Sequence, residues 1–230
     1  MKKLLLTLIL FVNVMFFGFE TLLPSGEVLD EGILKIDTIT PGVAAIRYGL
    51  FGIMEVGVST SNGGAYIKVG SNKMGDLPLA GSVSFGFEGV ESAHIIGNIS
   101  YISDSLKLSV GTDYTQKMET EFNETTQEPK TIIDSYFNIF GGLNYLISSD
   151  EKTDKFLNIE VTTGFKSNGT EYGIAGYIYG IQSFKKFWLF NKVNVFGGLA
   201  VVNPSIPPNI LENFRVVFGL NTEINLFGNK

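Results

Sequence analysis

Cysteine is absent from this chain of 230 residues, and proline, tryptophan and histidine number seven, one and one. Without cysteine the protein has neither a disulfide bond nor a nucleophilic thiol. The single histidine, His94, excludes metal sites that require two imidazoles, and any serine–histidine catalysis must use it. We therefore predict a protein with no metal, no cofactor and no catalytic residues.

Long apolar runs are also lacking, although 44% of the residues are hydrophobic and only 17% are charged. No run reaches the roughly 18 or more apolar residues that a membrane-spanning helix needs. The apolar side chains instead alternate with polar or small ones, which predicts strands with two unlike faces. Twenty-seven glycines, 19 phenylalanines and nine tyrosines are typical of bent strands and interface aromatics. The net charge of −6 argues against a nucleic-acid partner.

Three regions divide the chain. Residues 1–19 predict a secretory signal peptide, because two lysines precede an apolar run from Leu4 to Phe17. The run is not followed by a clear cleavage site, so an uncleaved anchor is the alternative. Residues 20–31 predict an extended periplasmic lead-in, and residues 32–230 predict a β-barrel domain.

Two alternating segments flank Asn168-Gly169, the dipeptide favoured in two-residue type I′ hairpin turns. A turn closed there places Phe165 opposite Tyr172. One face of the hairpin is mostly apolar and carries Leu157, Ile159, Val161, Thr163, Phe165, Tyr172, Ile174, Gly176 and Ile178. The other face carries Asn158, Glu160, Thr162, Gly164, Lys166, Glu171, Gly173, Ala175, Tyr177 and Tyr179. Such faces predict the wall of a transmembrane β-barrel, with lipid outside and the lumen inside.

Similar alternation recurs from Gly32 to Phe227 and predicts an all-β fold, an antiparallel up-and-down transmembrane β-barrel of about twelve strands. Ten strands are the alternative. An even number returns both ends of the chain to the periplasmic side. The polar stretch Gln116–Lys130 and the proline-rich stretch Asn203–Leu211 predict long loops at the outer side.

Charged and polar residues occupy the inward phase of several predicted strands. The lumen candidates are Lys35, Asp37, Arg47, Glu55, His94, Glu160, Lys166, Glu171, Arg215 and Glu223. Because a charge removed from water needs a partner, we expect them to pair inside a narrow barrel; a conducting path is the alternative. A three-residue loop at Leu50–Gly52 would place Arg47 opposite Glu55, and closure of the last strand on the first would bring Lys35 near Glu223.

His94 shares its strand phase with Ser92, and these are the residue types of a hydrolytic pair. Residues two apart in a strand lie about 6.5–7 Å apart, too far for a hydrogen bond between them without a bulge. We therefore expect His94 to be a polar residue of the lumen wall. At the membrane interface we expect the aromatic residues Phe165, Tyr172 and Trp188.

Several short segments resemble bacterial outer-membrane barrels of the exopolysaccharide-export-associated family. They are Leu23–Leu29, Tyr48–Leu50, Met54–Val58 and the Asn168-Gly169 hairpin that follows Ile159-Glu160. The resemblance implies a barrel in the bacterial outer membrane with a role connected to polysaccharide secretion.

From these patterns we expect a non-enzymatic outer-membrane barrel that is structural or forms a narrow, porin-like channel for small solutes. Its partners are then the lipid bilayer and a small solute or polysaccharide. One alternative is a soluble periplasmic barrel that binds an apolar ligand, which requires apolar residues inside and polar ones outside. The other is a barrel-type lipid-modifying enzyme built around His94.

Overall fold

A computed structural model describes seven stretches of the chain: residues 25–40, 43–59, 64–88, 92–122, 129–166, 172–202 and 214–227. The predicted signal peptide, the Asn168-Gly169 turn and Glu171 lie outside these stretches. Among the described residues, no helix has the length and apolar content needed to cross a membrane.

The fold is a closed barrel of twelve antiparallel strands. The strands are β1 Ile33–Thr40, β2 Val43–Leu50, β3 Met54–Ser59, β4 Gly64–Ser71, β5 Leu79–Glu88, β6 Ser92–Ile102, β7 Leu106–Phe122, β8 Pro129–Ser149, β9 Thr153–Lys166, β10 Tyr172–Phe187, β11 Phe190–Val202 and β12 Phe214–Asn225. Each strand pairs with its neighbours in sequence, and β12 pairs with β1. The predicted up-and-down barrel of twelve strands is confirmed. Within the described strands, closure leaves no unpaired sheet edge.

The β9–β10 hairpin has the register that its sequence predicts. Phe165 lies opposite Tyr172, and the ladder continues without a shift to the pair of Thr153 and Phe184. Ile159 and Val161 point outward, with 44% and 52% of their surface exposed, whereas the inward Glu160 is 8% exposed. The alternation of faces in this hairpin is therefore confirmed.

Large apolar side chains cover the outside of the whole barrel. Exposed examples on ten strands are Ile46, Val58, Ile67, Val83, Phe85, Ile95, Ile99, Val110, Ile133, Phe137, Ile139, Ile178, Val195, Leu199, Val216 and Phe218. Charged and polar groups are among the buried residues, including Asp37, Glu55, Lys68, Ser100 and Asn158. This is the reverse of a soluble barrel, and it matches a wall that faces hydrocarbon outside and a polar lumen inside.

The β2–β3 connection differs from the prediction by one residue at each end. Leu50 pairs with Met54, so the loop is residues 51–53, and Arg47 lies opposite Gly57 rather than Glu55. Phe51 adopts a φ of 56°, a left-handed conformation that a sequence pattern does not reveal in a non-glycine residue. The predicted register was wrong because the exact turn position sets every pair that follows.

The predicted long loop Gln116–Lys130 is mostly strand. β7 continues to Phe122 and pairs with β8 from Pro129 onward. Lys117 lies opposite Asp134 in this extension. The scarcity of apolar residues, of which Met118 and Phe122 are the large ones, did not prevent pairing, because beyond the apolar band both faces of a hairpin meet water. The predicted loop Asn203–Leu211 lies outside the described residues.

Several aromatic side chains inside the barrel lie across a glycine on the neighbouring strand. The cross-strand pairs are Gly57 with Tyr66, Gly111 with Phe140, and Gly219 with Phe196. A Cβ added to these glycines would lie 2.9, 2.4 and 2.2 Å from the facing ring. The missing side chain lets each ring lie against the wall instead of projecting toward the barrel axis.

Candidate functional site

A cavity of about 530 Å³ lies inside the barrel. Five basic side chains line it: Lys35, Arg47, Lys68, Lys107 and Lys192. Six acidic side chains line it as well: Glu27, Asp30, Asp37, Glu55, Glu160 and Glu223. Of the ten predicted lumen residues, six therefore border this cavity. Among the described residues, no cluster of three or more His, Cys, Asp or Glu side chains is arranged to hold a metal ion.

Arg47 joins two buried carboxylates near the seam where β1 meets β12. Its Nη2 donates a hydrogen bond to Asp37 Oδ2, and its Nη1 lies 3.7 Å from Glu55 Oε1. Tyr66 Oη donates to Glu55 Oε1 at 2.7 Å, and Asn221 Nδ2 donates to Asp37 Oδ1. Arg47 and Glu55 thus form an ion pair although they are not register partners. These contacts compensate for the cost of removing the charges from water.

Two further contacts connect neighbouring strands around the cavity. Lys35 Nζ lies 3.4 Å from Glu223 Oε1, because the two residues are register partners across the β1–β12 seam. Tyr179 Oη donates a 2.6 Å hydrogen bond to Glu160 Oε1 between β10 and β9. The inner wall is therefore crosslinked by side chains as well as by the backbone ladder.

The other predicted lumen residues lie apart from this cavity. Lys166 Nζ is 2.8 Å from Asp134 Oδ2 and 5.7 Å from the ring centroid of Tyr136. Arg215, near the start of β12, is exposed, and Glu171 lies outside the described residues. Lys166 and Arg215 lie at the opposite end of the barrel from the short turns.

Of the predicted interface aromatics, Phe165 is 48% exposed on the outer face. Trp188, in the β10–β11 turn, is 47% exposed. For Tyr172 the structure describes only the backbone register.

His94 has polar partners on both sides of its ring. Ser92 Oγ lies 3.3 Å from Nε2, and Thr115 Oγ1 lies 2.8 Å from Nδ1. The Thr115 hydroxyl donates to Asp113 Oδ1 at 3.2 Å, which makes its oxygen an acceptor for the Nδ1 proton. In that tautomer Nε2 carries no proton and accepts a hydrogen bond from Ser92 Oγ. The expected separation was wrong, since the two side chains meet although β6 has no bulge in its pairing with β7.

Residues 25–31, which we name the lumen segment, lie against the inner wall. Val28 N donates to Asn72 Oδ1 at 2.7 Å, and Asn72 Nδ2 donates back to Val28 O at 2.8 Å. Gly26 N donates to Ser100 Oγ at 2.8 Å. Val28 is buried, with only 4% of its surface exposed. Sequence reasoning did not predict these contacts, because a segment without alternation gives no indication of which surface it meets.

Glu27 and Leu29 complete the attachment of the lumen segment. Lys107 Nζ forms an ion pair with Glu27 Oε2, and Lys68 Nζ donates to the Glu27 backbone oxygen. Leu29 N donates to Glu55 Oε2 at 3.2 Å. Both lysines were missed as lumen candidates, although each has an inward phase in its strand.

Two amide oxygens in the cavity wall have no hydrogen-bond partner among the described residues. They are Asn158 Oδ1 and Asn194 Oδ1, and both side chains line the cavity. Both oxygens are themselves buried, and a buried acceptor without a partner is costly.

No protein-family model matches the sequence, and no curated protein matches it. Among solved structures the chain is similar to the NanC porin, with 11% identity, coverage of 84% of this chain and 99% of that chain, and a TM-score of 0.49. It is also similar to OmpT, an outer membrane protein of Vibrio cholerae, in its trimer form. The identity there is 12%, with 80% of this chain and 64% of that chain covered and a TM-score of 0.42.

The barrel's own geometry determines its class. A closed antiparallel wall, an apolar exterior and a polar, charged interior occur together in proteins that cross a membrane with strands. The chain is a transmembrane β-barrel. Barrels of this form span the bacterial outer membrane.

Proposed function

We propose that the protein is a non-enzymatic outer-membrane barrel whose lumen is a narrow, porin-like channel for small solutes. The observation that supports this function is the 530 Å³ cavity lined by charged and amide side chains inside a closed wall. Twelve strands place the barrel between eight-stranded barrels filled by side chains and open 16-stranded porins. A purely structural role is the alternative that this architecture supports, because paired charged side chains can also fill the lumen of a barrel.

The solute of this channel is small and polar. The charged and amide side chains that line the cavity form hydrogen bonds with polar groups. A cavity of this volume is within the range that holds one small molecule. The resemblance to the exopolysaccharide-export-associated family makes a saccharide unit a candidate for this solute.

Single-channel recording after reconstitution tests the channel function with two adjacent substitutions. Asn158→Trp places a bulky ring in the cavity wall, and we expect it to reduce the unitary conductance. Ile159→Trp changes the next residue, which is 44% exposed on the lipid side, and should leave the conductance unchanged. A silent bilayer for the wild type would contradict the channel and favour the structural role.

A barrel-type lipid-modifying enzyme is the second candidate, supported by the contacts of Ser92, His94 and Thr115 described above. A serine nucleophile needs a base that accepts its proton, and Nε2 of His94 is placed to do so. Incubation with an alkyl fluorophosphonate should then label Ser92 covalently, with fluoride as the leaving group. We expect Ser92→Ala and His94→Ala to abolish the label. Absence of labelling in the folded wild type would remove this candidate.

A further inference from the structure

The lumen segment passes across the inside of the barrel, from β2 to β7. Near β2, the Asp30 backbone oxygen lies 2.1 Å from where a Cβ on Gly49 would be. Farther along, a Cβ on Gly26 would lie 2.5 Å from the backbone oxygen of Ala80 on β5. Two glycines, one in the wall and one in the segment, therefore allow an approach that any side chain would block. The segment is fitted to the wall.

The segment is attached without being part of the sheet. Residues 25–31 belong to no strand, and their contacts with Asn72, Ser100 and Lys68 run from wall side chains to the segment backbone. Since the closed β-ladder does not include these residues, the segment can leave the lumen while every strand pair stays intact. Its attachment depends on a few polar contacts that solvent can replace.

Glu27 and Asp30 of the segment determine the sign of the charge in the cavity. With them, six carboxylates face five basic groups among the cavity-lining residues; without them, four carboxylates face the same five. Lys107 would lose the carboxylate with which it forms an ion pair. The charge of the cavity lining therefore changes from net negative to net positive when the segment withdraws.

We propose that residues 25–31 are a detachable plug, and that Lys68 and Lys107 form an anion-binding site that Glu27 occupies while the plug is in place. The anion-binding part rests on the proposed channel function. When the plug withdraws, the two ammonium groups attract a small anion, such as a carboxylate, into the position of Glu27. Plug release thus widens the path and selects for anions in a single step.

Thiol labelling tests the plug independently of conduction. Val28→Cys introduces a single thiol into a chain without cysteine, at a position that is 4% exposed. We expect slow reaction with a charged maleimide. Adding Gly26→Val or Glu27→Lys should accelerate it about tenfold or more, because a steric clash or like-charge repulsion displaces the segment. Adding Ser25→Ala should not change the labelling rate, because this substitution leaves the backbone of the segment in place. Unchanged rates in both displacing variants would overturn the plug.

Reversal potentials in a potassium chloride gradient test the anion site. Gly26→Val should raise the conductance and shift selectivity toward chloride. Adding Lys68→Gln and Lys107→Gln should remove the shift while the conductance stays high. An unshifted selectivity in Gly26→Val would overturn the anion site. Fast labelling of Val28→Cys together with silent bilayers for all variants would instead overturn the proposed channel function and leave the plug supported.

Discussion

At the scale of single residues, Arg47 is the group on which two buried carboxylates depend. The side chains of Asp37 and Glu55 are 5% and 2% exposed, and Arg47 contacts both. Arg47→Met should lower the free energy of unfolding by about 3 kcal/mol or more, because it leaves buried charges without their partner. Lys35→Met breaks the more exposed pair with Glu223 and should cost about 1 kcal/mol or less. Urea unfolding in lipid vesicles gives both values, and equal costs would contradict the assigned roles.

Alternation predicts which residues point inward, but it does not determine which of them meet. Lys35, Arg47 and Glu160 have inward phases that follow from a period of two. The ion pair of Arg47 with Glu55 forms diagonally, since the turn begins one residue later than the glycine pattern indicated. Lys68 and Lys107 carry the same inward signal. Their partner Glu27 lies in a segment without periodicity, so no pattern in the sequence connects them.

At the scale of single elements, the β8–β9 turn depends on one carboxylate. Asp150 accepts hydrogen bonds from the backbone N–H of Lys152 and Thr153 and from the Thr153 hydroxyl, and these bonds lower its pKa. Since the folded pKa lies below the unfolded one, the stabilisation is present above the unfolded pKa and is lost as pH falls through the folded pKa. Thr153→Val should raise the pKa of Asp150, and Thr153→Ser should preserve it. Carboxyl-carbon NMR titration would contradict the assignment if both variants titrate alike.

The glycine and aromatic pairs of the inner wall allow a test with closely matched variants. Gly111→Ala places a Cβ 2.4 Å from the ring of Phe140, whereas a Cβ on Gly97 of the adjacent strand meets nothing within 4 Å. We expect Gly111→Ala to destabilise the barrel by about 1–3 kcal/mol through overpacking. Gly97→Ala should be neutral or stabilise it by about 0.5 kcal/mol. Equal unfolding midpoints for the two variants in urea would show that the packing of the Phe140 ring does not depend on the absence of a side chain at Gly111.

At the scale of the whole molecule, fold class and strand number follow from the sequence because a barrel wall repeats one pattern twelve times. Errors in single turns, as at residues 51–53, leave that pattern unchanged. The contents of the lumen do not repeat. The lumen segment precedes the first strand and follows no alternation, so its position across β2 to β7 emerges only when the wall is closed. The interior also holds the aromatic side chains of Tyr66, Phe140 and Phe196. They were not expected, because the sequence predicts an inner face of polar or small residues.

The orientation of the wall makes a prediction about the barrel as a whole. Val161 is 52% exposed on the outer face, whereas Thr162, the next residue of β9, has the inward phase of Glu160. Val161→Arg should cost about 2–4 kcal/mol of stability in a bilayer, because its charge must enter hydrocarbon. Thr162→Arg should cost clearly less, since the lumen offers polar partners. Phe218→Arg, on the outer face of β12, should match Val161→Arg. Equal tolerance at positions 161 and 162 during folding into lipid vesicles would reverse the two faces and with them the transmembrane assignment.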